Sequence, residues 1–386
     1  MNKDSLILRV KKRHVVGLLF FFLSGYVYLL LGQMSERILL IIAVILFSPE
    51  LIDSLKILVT TAPSIAHDFF CIMLIVAGIL LNSFTPIIYT IGLILIWRLT
   101  NYCFTKKTVK IEILKLSYEI NYWLCVFILL ISAFIAVLRG ELVFSGYEGI
   151  FNNPNAMGML CSFFCGLNIW EYSYSIITNG EYKPQLIRVP LFLFSVICLL
   201  ASTSRTSLLA FGLQLIILLA FIFIKSINGI RVKVLRAISA ICIGIMGITF
   251  GILNISDVGV KVINSIIRKI QVLSGQNDIT NGRVEIWKSI WDGRGLFANG
   301  ESRIQPSAHS VYMALVDQFG KIPSMIYLIF MCIVLFIALK DINMKKFDWK
   351  YHMALYIVLN FFVLSFMEVS MLTFPMIMMY VLIPYI

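Results

Sequence analysis

Charge is scarce in this chain. Only 13% of its 386 residues are Asp, Glu, Lys or Arg, against about 25% in an ordinary soluble domain. With 60% of positions hydrophobic and a mean hydropathy of +0.93, too little polar surface remains to keep the chain in water. That excludes a soluble enzyme, a disordered protein and a nucleic-acid binder that happens to be basic. Alternating apolar and polar stretches are missing too, which excludes a transmembrane β-barrel. A disulfide framework is absent from the largest polar loop. Seven of the eight cysteines lie in apolar runs (Cys71, Cys125, Cys161, Cys165, Cys198, Cys242, Cys332), and Cys103 sits in a basic loop. Cys161 and Cys165 lack a His or carboxylate at ligand spacing and read as packing residues. The long polar loop has no DxD, no paired His and no Cys cluster, so no metal set is expected. No P-loop and no dinucleotide fingerprint occurs, so no cofactor is expected.

What remains is a succession of apolar runs of roughly 15–20 residues, the pattern of a polytopic helical membrane protein. The fold class expected is all-α. The basic N-terminus is followed by residues 15–31, with no A-x-A cleavage site, and these read as a first retained helix. Later spans are expected near 38–48, 69–83, 86–98, 120–138, 156–175, 187–203, 206–224, 234–253, 323–339, 351–367 and 371–386, which makes twelve. The organisation expected is nine spans within 1–253, a large outer loop over 254–322, and three spans within 323–386.

Twelve spans place both termini on one side. With those termini cytoplasmic, the inner segments hold Arg9, Lys11, Lys12 and Arg13; Lys106, Lys107, Lys110 and Lys115; Lys225, Arg231, Lys233 and Arg236; and Lys340, Lys345, Lys346 and Lys350. The short outer loops hold only Arg37, Arg139 and Arg205. This is the asymmetry the positive-inside rule demands, and it accounts for much of the +12 net charge. The long loop is exempt from that rule. Within it, Gly259, Ile263, Ile266, Ile267, Ile270 and Leu273 follow helical spacing and predict an amphipathic helix on the outer leaflet. RVEIWKSIW predicts a second helix, with Val284, Trp287, Ile290 and Trp291 on one face that rests at headgroup depth. A third is expected from after Pro306 and Ser307 to Gly320.

Four outer spots hold residues suited to chemistry. Asn152, Asn153 and Asn155 surround Pro154 before a span. They read either as a helix cap or as a helix N-terminus that holds an anion or sugar. In STSRTS, Arg205 lies in a tight turn among hydroxyls, as an interfacial anchor or as a phosphate ligand. In NGRVEIW, Arg283 falls in the first turn of its helix, where a cation opposes the dipole and a nearby anion would explain it. Lys288, Arg294 and Arg303 follow. In PSAHSVYMALVDQFG, His309 is the one histidine of the long loop, since His14, His67 and His352 are expected on the cytoplasmic side. A place in the first helical turn would keep its ring neutral and able to take a proton. Asp317 is too far round that helix to orient it. Glu368, near the outer end of a late span, reads as a cap or a cavity residue.

With no energy source of its own, the chain needs an activated substrate. A lipid with a diphosphate-linked sugar fits: its tail explains the membrane, its diphosphate the arginines, its glycan the outer face. Arginines can neutralise leaving-group charge, and one neutral histidine can deprotonate an attacking hydroxyl.

The ordered set NNPNAMG, TSR, NGRVEIW and AHS, with Gly320 eleven residues after the histidine, resembles the O-antigen ligase and O-antigen polymerase superfamily over residues 139 to 340. The resemblance implies a metal-independent, glycosyltransferase C-like membrane enzyme. It would act on undecaprenyl-diphosphate-linked oligosaccharides at the outer face of the bacterial inner membrane, in lipopolysaccharide or capsule biosynthesis. Carried over by position, Arg205 and Arg283 would grip the diphosphate, His309 would be the general base, and Asn153, Asn155, Arg294 and Arg303 are further candidates for the substrate. Departures are Ser310, where Asn is frequent, and Pro323, where a small or hydroxyl residue is usual. The minimal motif set favours a polymerase over a ligase that transfers glycan to lipid A core. A chain-length regulator is a conceivable protein partner; nucleic acid is not. The rival of another class is a lipid-linked oligosaccharide flippase, which would place its charges near mid-span and show an internal repeat. Here the charges sit at one face and no repeat is found.

Overall fold

The computed structural model describes residues 12–31, 33–49, 62–83, 110–138, 146–151, 153–177, 187–225, 282–298, 309–344 and 349–367, with isolated positions between 52 and 97. Among them are eleven α-helices and no strand. They are α1 (Lys12–Leu31), α2 (Gln33–Leu46), α3 (Ala62–Leu80), α4 (Lys110–Leu138), α5 (Pro154–Ile177), α6 (Arg188–Ser202), α7 (Arg205–Lys225), α8 (Arg283–Gly293), α9 (Val311–Phe319), α10 (Lys321–Met344) and α11 (Trp349–Met367). One 3-10 turn, Gly149–Phe151, precedes α5. Nine of these helices, α1 to α7 with α10 and α11, overlap stretches expected as spans. The expected span 86–98 has only isolated described positions. Those at 234–253 and 371–386, the amphipathic helix over 259–273, Arg303 and Glu368 lie outside the described residues.

Two described segments, Leu116–Leu138 and Lys321–Lys340, are long and apolar enough to cross a membrane. Their exposed faces are oily. Trp123, Phe127, Leu130, Phe134 and Val137 make an exposed stripe along α4 at helical spacing, as do Met325, Ile329 and Phe336 along α10. Leaving such side chains in water forfeits about 1.5–3 kcal/mol each, whereas acyl chains would cover them without loss.

One helix begins earlier than its apolar run. α3 starts at Ala62 rather than residue 69, with Pro63 in the first turn, where its missing N–H costs nothing. His67 and Asp68 interrupt the hydropathy but not the helix. The His67 ring is fully buried and stacks on Trp97, with ring centroids 4.4 Å apart and planes at 11°.

The chain forms two compact units, Met1–Leu124 with Thr280–Ile386, and Cys125–Ile279. In the first, Phe70 and Leu74 of α3, Tyr327, Phe330 and Val334 of α10, and Val358 and Phe361 of α11 make a core. α9 is part of that core, through Val311, Tyr312, Leu315 and Phe319. This short helix of the expected outer loop is therefore buried among longer ones.

In the second unit α5 packs against α6 and α7. Arg188, the first residue of α6, donates a hydrogen bond to the Glu171 carboxylate of α5, and both side chains are buried. A cation at a helix N-terminus opposes the dipole, and here a carboxylate compensates it. Removing one partner of such a pair strands a buried charge and costs about 3–5 kcal/mol, while replacing both by apolar groups is often neutral. We expect Glu171→Ala to lower the thermal unfolding temperature of the detergent-solubilised chain markedly, and the double change Glu171→Leu with Arg188→Met to restore most of it.

Candidate functional site

The second unit builds its polar end around one tight turn. α6 ends at Thr203, whose backbone is left-handed (φ 51°), and α7 begins two residues later at Arg205. Thr203 N–H donates back to the Leu200 carbonyl at 3.1 Å. Ser202, Ser204, Thr206 and Ser207 are buried; Arg205 between them is exposed. Ser204 Oγ lies 2.9 Å from Ser207 Oγ and 3.2 Å from Thr206 Oγ1. The hydroxyls therefore satisfy one another beneath the guanidinium.

Gly158 of α5 makes room for this turn. A Cβ at that position would stand 2.5 Å from Ser204 Cβ, 2.9 Å from Ser207 Oγ and 3.0 Å from Ser202 Oγ. Thus the last residue of NNPNAMG and the residues flanking Arg205 are packed together. Upstream, Gly146 and Tyr147 N–H both donate to the Ala201 carbonyl at 3.0 Å. Asn153 Oδ1 accepts from Asn155 N–H at 2.9 Å, and Pro154 is the first residue of α5. The cap reading of Asn153 is therefore realised in the geometry. Asn155 lies in the first turn, half-buried.

In the first unit, α8 begins at Arg283, as its sequence suggests, with Gly282 as N-cap in a left-handed conformation (φ 79°) that favours glycine. The side of α8 that is buried against protein is not the side expected at headgroup depth, and the two share Ile290. Ile286 and Ile290 pack with Met313, Ala314 and Val316 of α9, while Val284 and Trp291 are exposed. A short helix with apolar residues on two flanks does not reveal which flank meets the protein. Lys288 is exposed. Lys321 Nζ stands 5.2 Å from the centre of the Trp291 ring.

Arg294 leaves the end of α8 and donates to Asp317 Oδ1 from both Nε (2.9 Å) and an amino nitrogen (2.7 Å). Its charge is thus balanced by a buried carboxylate, and Asp317, set aside as a partner for His309, finds its role here. This clamp joins the C-terminal ends of α8 and α9. Their apolar contact lies on the N-terminal side of it in both helices. Arg283 and His309 accordingly stand at the ends of the pair remote from the clamp.

His309 is not in the first helical turn. The N-cap of α9 is Ser310, with extended backbone, and the helix starts at Val311. His309 precedes the cap in a left-handed conformation (φ 43°), which is uncommon outside glycine and costs about 1–3 kcal/mol. Ser310 makes no side-chain cap hydrogen bond, so the helix starts without help from the residue that stands where Asn is frequent. Its Oγ donates to the Ser365 carbonyl at 3.3 Å. Pro323 falls in the first turn of α10, where proline is tolerated. Two tyrosines near these motifs, Tyr147 and Tyr312, have phenols pushed well above their usual range, chiefly by burial. Neither is ionised at neutral pH, so neither competes as a base.

Arg205 and Arg283 share a position. Each is the first residue of its helix, where unpaired N–H groups and the dipole attract an anion and repel a cation. Arg188 occupies the same position and is answered by Glu171. Arg205 forms no ion pair with any described residue.

Residues 190–293 match the O-antigen ligase family model. The matched segment contains Arg205 and Arg283 and stops short of His309. No curated protein and no solved structure matches the chain. The likeness to the O-antigen ligase and polymerase superfamily thus holds for that segment. Members of the family are membrane-associated, glycosyltransferase-like enzymes.

Sequence reasoning missed the Arg294–Asp317 clamp, the Arg188–Glu171 pair and the reason for Gly320. That glycine has φ 95°, and a Cβ there would meet Leu296 O and Phe297 Cα at 2.5 Å. Around it, Ala298 N–H donates to the Phe319 carbonyl (2.9 Å) and Ile322 N–H to the Leu296 carbonyl (3.0 Å). The strand-like exit from α8 is thereby pressed onto the α9–α10 junction. Only a glycine spaced from the histidine hinted at it. Gly320→Ala, strained in both φ and space, should lower the unfolding temperature and expose residues 295–298 to limited proteolysis, whereas Gly295→Ala, whose Cβ would have ordinary room, should do neither.

Proposed function

We propose that this chain is a polysaccharide polymerase. It joins undecaprenyl-diphosphate-linked repeat units of the O-antigen or capsule type by inverting, metal-independent glycosyl transfer. The observation that carries the reading is the repeated placement of an exposed or half-buried arginine at the first residue of a helix, twice within the segment matching the O-antigen ligase family. A helix start with a guanidinium beside it suits a diphosphate.

The roles follow from the chemistry. His309 takes the proton of the acceptor hydroxyl. The freed oxygen attacks the anomeric carbon from the face opposite the diphosphate, the bond to that diphosphate breaks, and the configuration inverts. Arg205 and Arg283 neutralise the departing lipid diphosphate. The left-handed backbone before the α9 cap is the kind of local strain that persists where a side chain must be aimed.

The setting proposed is the bacterial inner membrane, with twelve spans, cytoplasmic termini and chemistry on the outer side, as the distribution of Lys and Arg supports. The name of the matched family favours a second reading, a ligase that moves finished glycan onto lipid A core. The acceptor distinguishes the two. A flippase is distinguished in cells: its loss abolishes surface glycan, whereas loss of a polymerase leaves single repeat units.

The purified chain in lipid, given lipid-diphosphate repeat units and a metal chelator, should yield a ladder of lengthened glycans. Arg205→Ala, Arg283→Ala and His309→Ala should each reduce that ladder by about 100-fold or more, the scale of losing a charge-stabilising or proton-transferring group. Transfer only to lipid A core would establish the ligase instead. Unchanged ladders from all three variants would remove these residues from the chemistry.

A further inference from the structure

Between α8 and the end of α9 lies an open cleft of about 380 Å³, lined by Glu285, Ile286, Ser289, Ile290, Gly293, Arg294 and Asp317. Of its lining residues only Arg294 is already a substrate candidate, and no step of the proposed transfer uses the cleft. We infer that this cleft is a glycan subsite, holding a neutral pyranose unit of the substrate away from the reacting bond. The inference rests on the polymerase reading for the origin of the glycan, and on the cleft itself for its chemistry.

The lining has two characters. Ile286 and Ile290 offer an apolar wall, and Glu285, Ser289, Arg294 and Asp317 offer acceptors and donors at its edge. A pyranose has the same two characters, C–H faces and hydroxyl edges. Pockets of this size with an apolar wall and a few fixed polar groups are the usual form of small-molecule sites. The polar groups are held in place. Asp317 is buried and receives two hydrogen bonds from Arg294, so the clamp presents a rigid guanidinium–carboxylate edge. Glu285 and Ser289 are one helical turn apart on α8 and exposed.

Charge narrows the class. Glu285 and Asp317 carry two negative charges against one positive charge on Arg294, so the lining is net negative. A uronate or other acidic sugar would meet repulsion. A neutral or N-acetylated sugar would not.

Position narrows it further. Arg283 opens α8, and the lining residues of that helix run from Glu285 to Gly293. At 1.5 Å per residue the cleft extends about 3–15 Å along the axis from the arginine. A sugar seated there is one removed from the diphosphate, on the lengthening chain or on the incoming unit.

Gly293 supplies the test. A Cβ added there meets nothing within 4 Å, and its backbone is not left-handed. Gly293→Leu should therefore fold normally and fill the cleft. The probe is the neutral repeat-unit oligosaccharide cut from the polysaccharide of the producing strain, without lipid. In saturation-transfer NMR on the full chain in nanodiscs, wild type should transfer signal to the probe, and Gly293→Leu and Glu285→Gln should transfer at least fivefold less. Gly295→Ala, outside the lining and with ordinary room for its Cβ, should transfer as wild type does. Equal transfer in wild type and Gly293→Leu, or none in wild type, overturns the subsite.

The ladder assay is read separately. If transfer is lost in Gly293→Leu but wild type makes no ladder, the subsite stands and the polymerase reading fails. If wild type makes a ladder, the KM of Gly293→Leu should rise at least tenfold with little change in kcat. A rise for free oligosaccharide as acceptor assigns the cleft to the incoming unit; a rise for the lipid-linked donor assigns it to the growing chain. An unchanged KM in both arms overturns the subsite while leaving the polymerase intact.

Discussion

The close backbone approach at Gly320 is the constraint on which the first unit's polar architecture depends. Leu296 and Phe297 press against that position so tightly that no side chain fits. The contact fastens the exit of α8 to the junction between α9 and α10, and the Arg294–Asp317 clamp lies beside it. Everything proposed for the loop follows from this fastening. It sets α8 alongside α9, puts Arg283 and the His309 segment at the remote ends of the pair, and opens the cleft near the clamp. The helix held in this way is itself buried, with Val311, Leu315 and Phe319 in the unit's core. The motif histidine is thus anchored by packing immediately after it rather than carried on a free loop.

The second unit solves a similar problem by similar means. An arginine at the start of α7 must be presented at the end of a tight turn, and the turn must rest on something. It rests on Gly158, with the flanking hydroxyls turned inward and the guanidinium outward. Here the glycine that permits close packing lies against the turn whose arginine is the first residue of a helix. Arg188 supplies the internal comparison. Where the structure itself must neutralise an arginine at that position, it uses a buried carboxylate. The exposed Arg205 has no such neighbour among the described residues, which is the arrangement an anionic ligand would complete.

Much of this was legible in the sequence. Hydropathy located most of the long helices, because a 3.6-residue helix needs a long apolar run to be stable in lipid. Asn153 and Pro154 announced a helix start, the run RVEIWKSIW another, and Gly320 an end; such signals are local chemistry and read locally. The failures have a common form. α3 runs through His67 and Asp68, and Trp97, distant in sequence, stacks on the buried histidine. The contact of Ile286 and Ile290 with α9 was not legible because the partner helix lies elsewhere in the sequence. His309 lies before its helix, not within it, because the cap falls at Ser310.

The sequence alone determined the class of molecule. Apolar length and sparse charge are sums over many residues, and no single packing detail can reverse them. Tertiary structure alone decided which cations are already answered and which helix face is covered. Arg188, Arg205 and Arg294 are indistinguishable as letters. Only folding brings Glu171 to the first and Asp317 to the last, because the energy of a charge is set by what stands within a few ångströms of it.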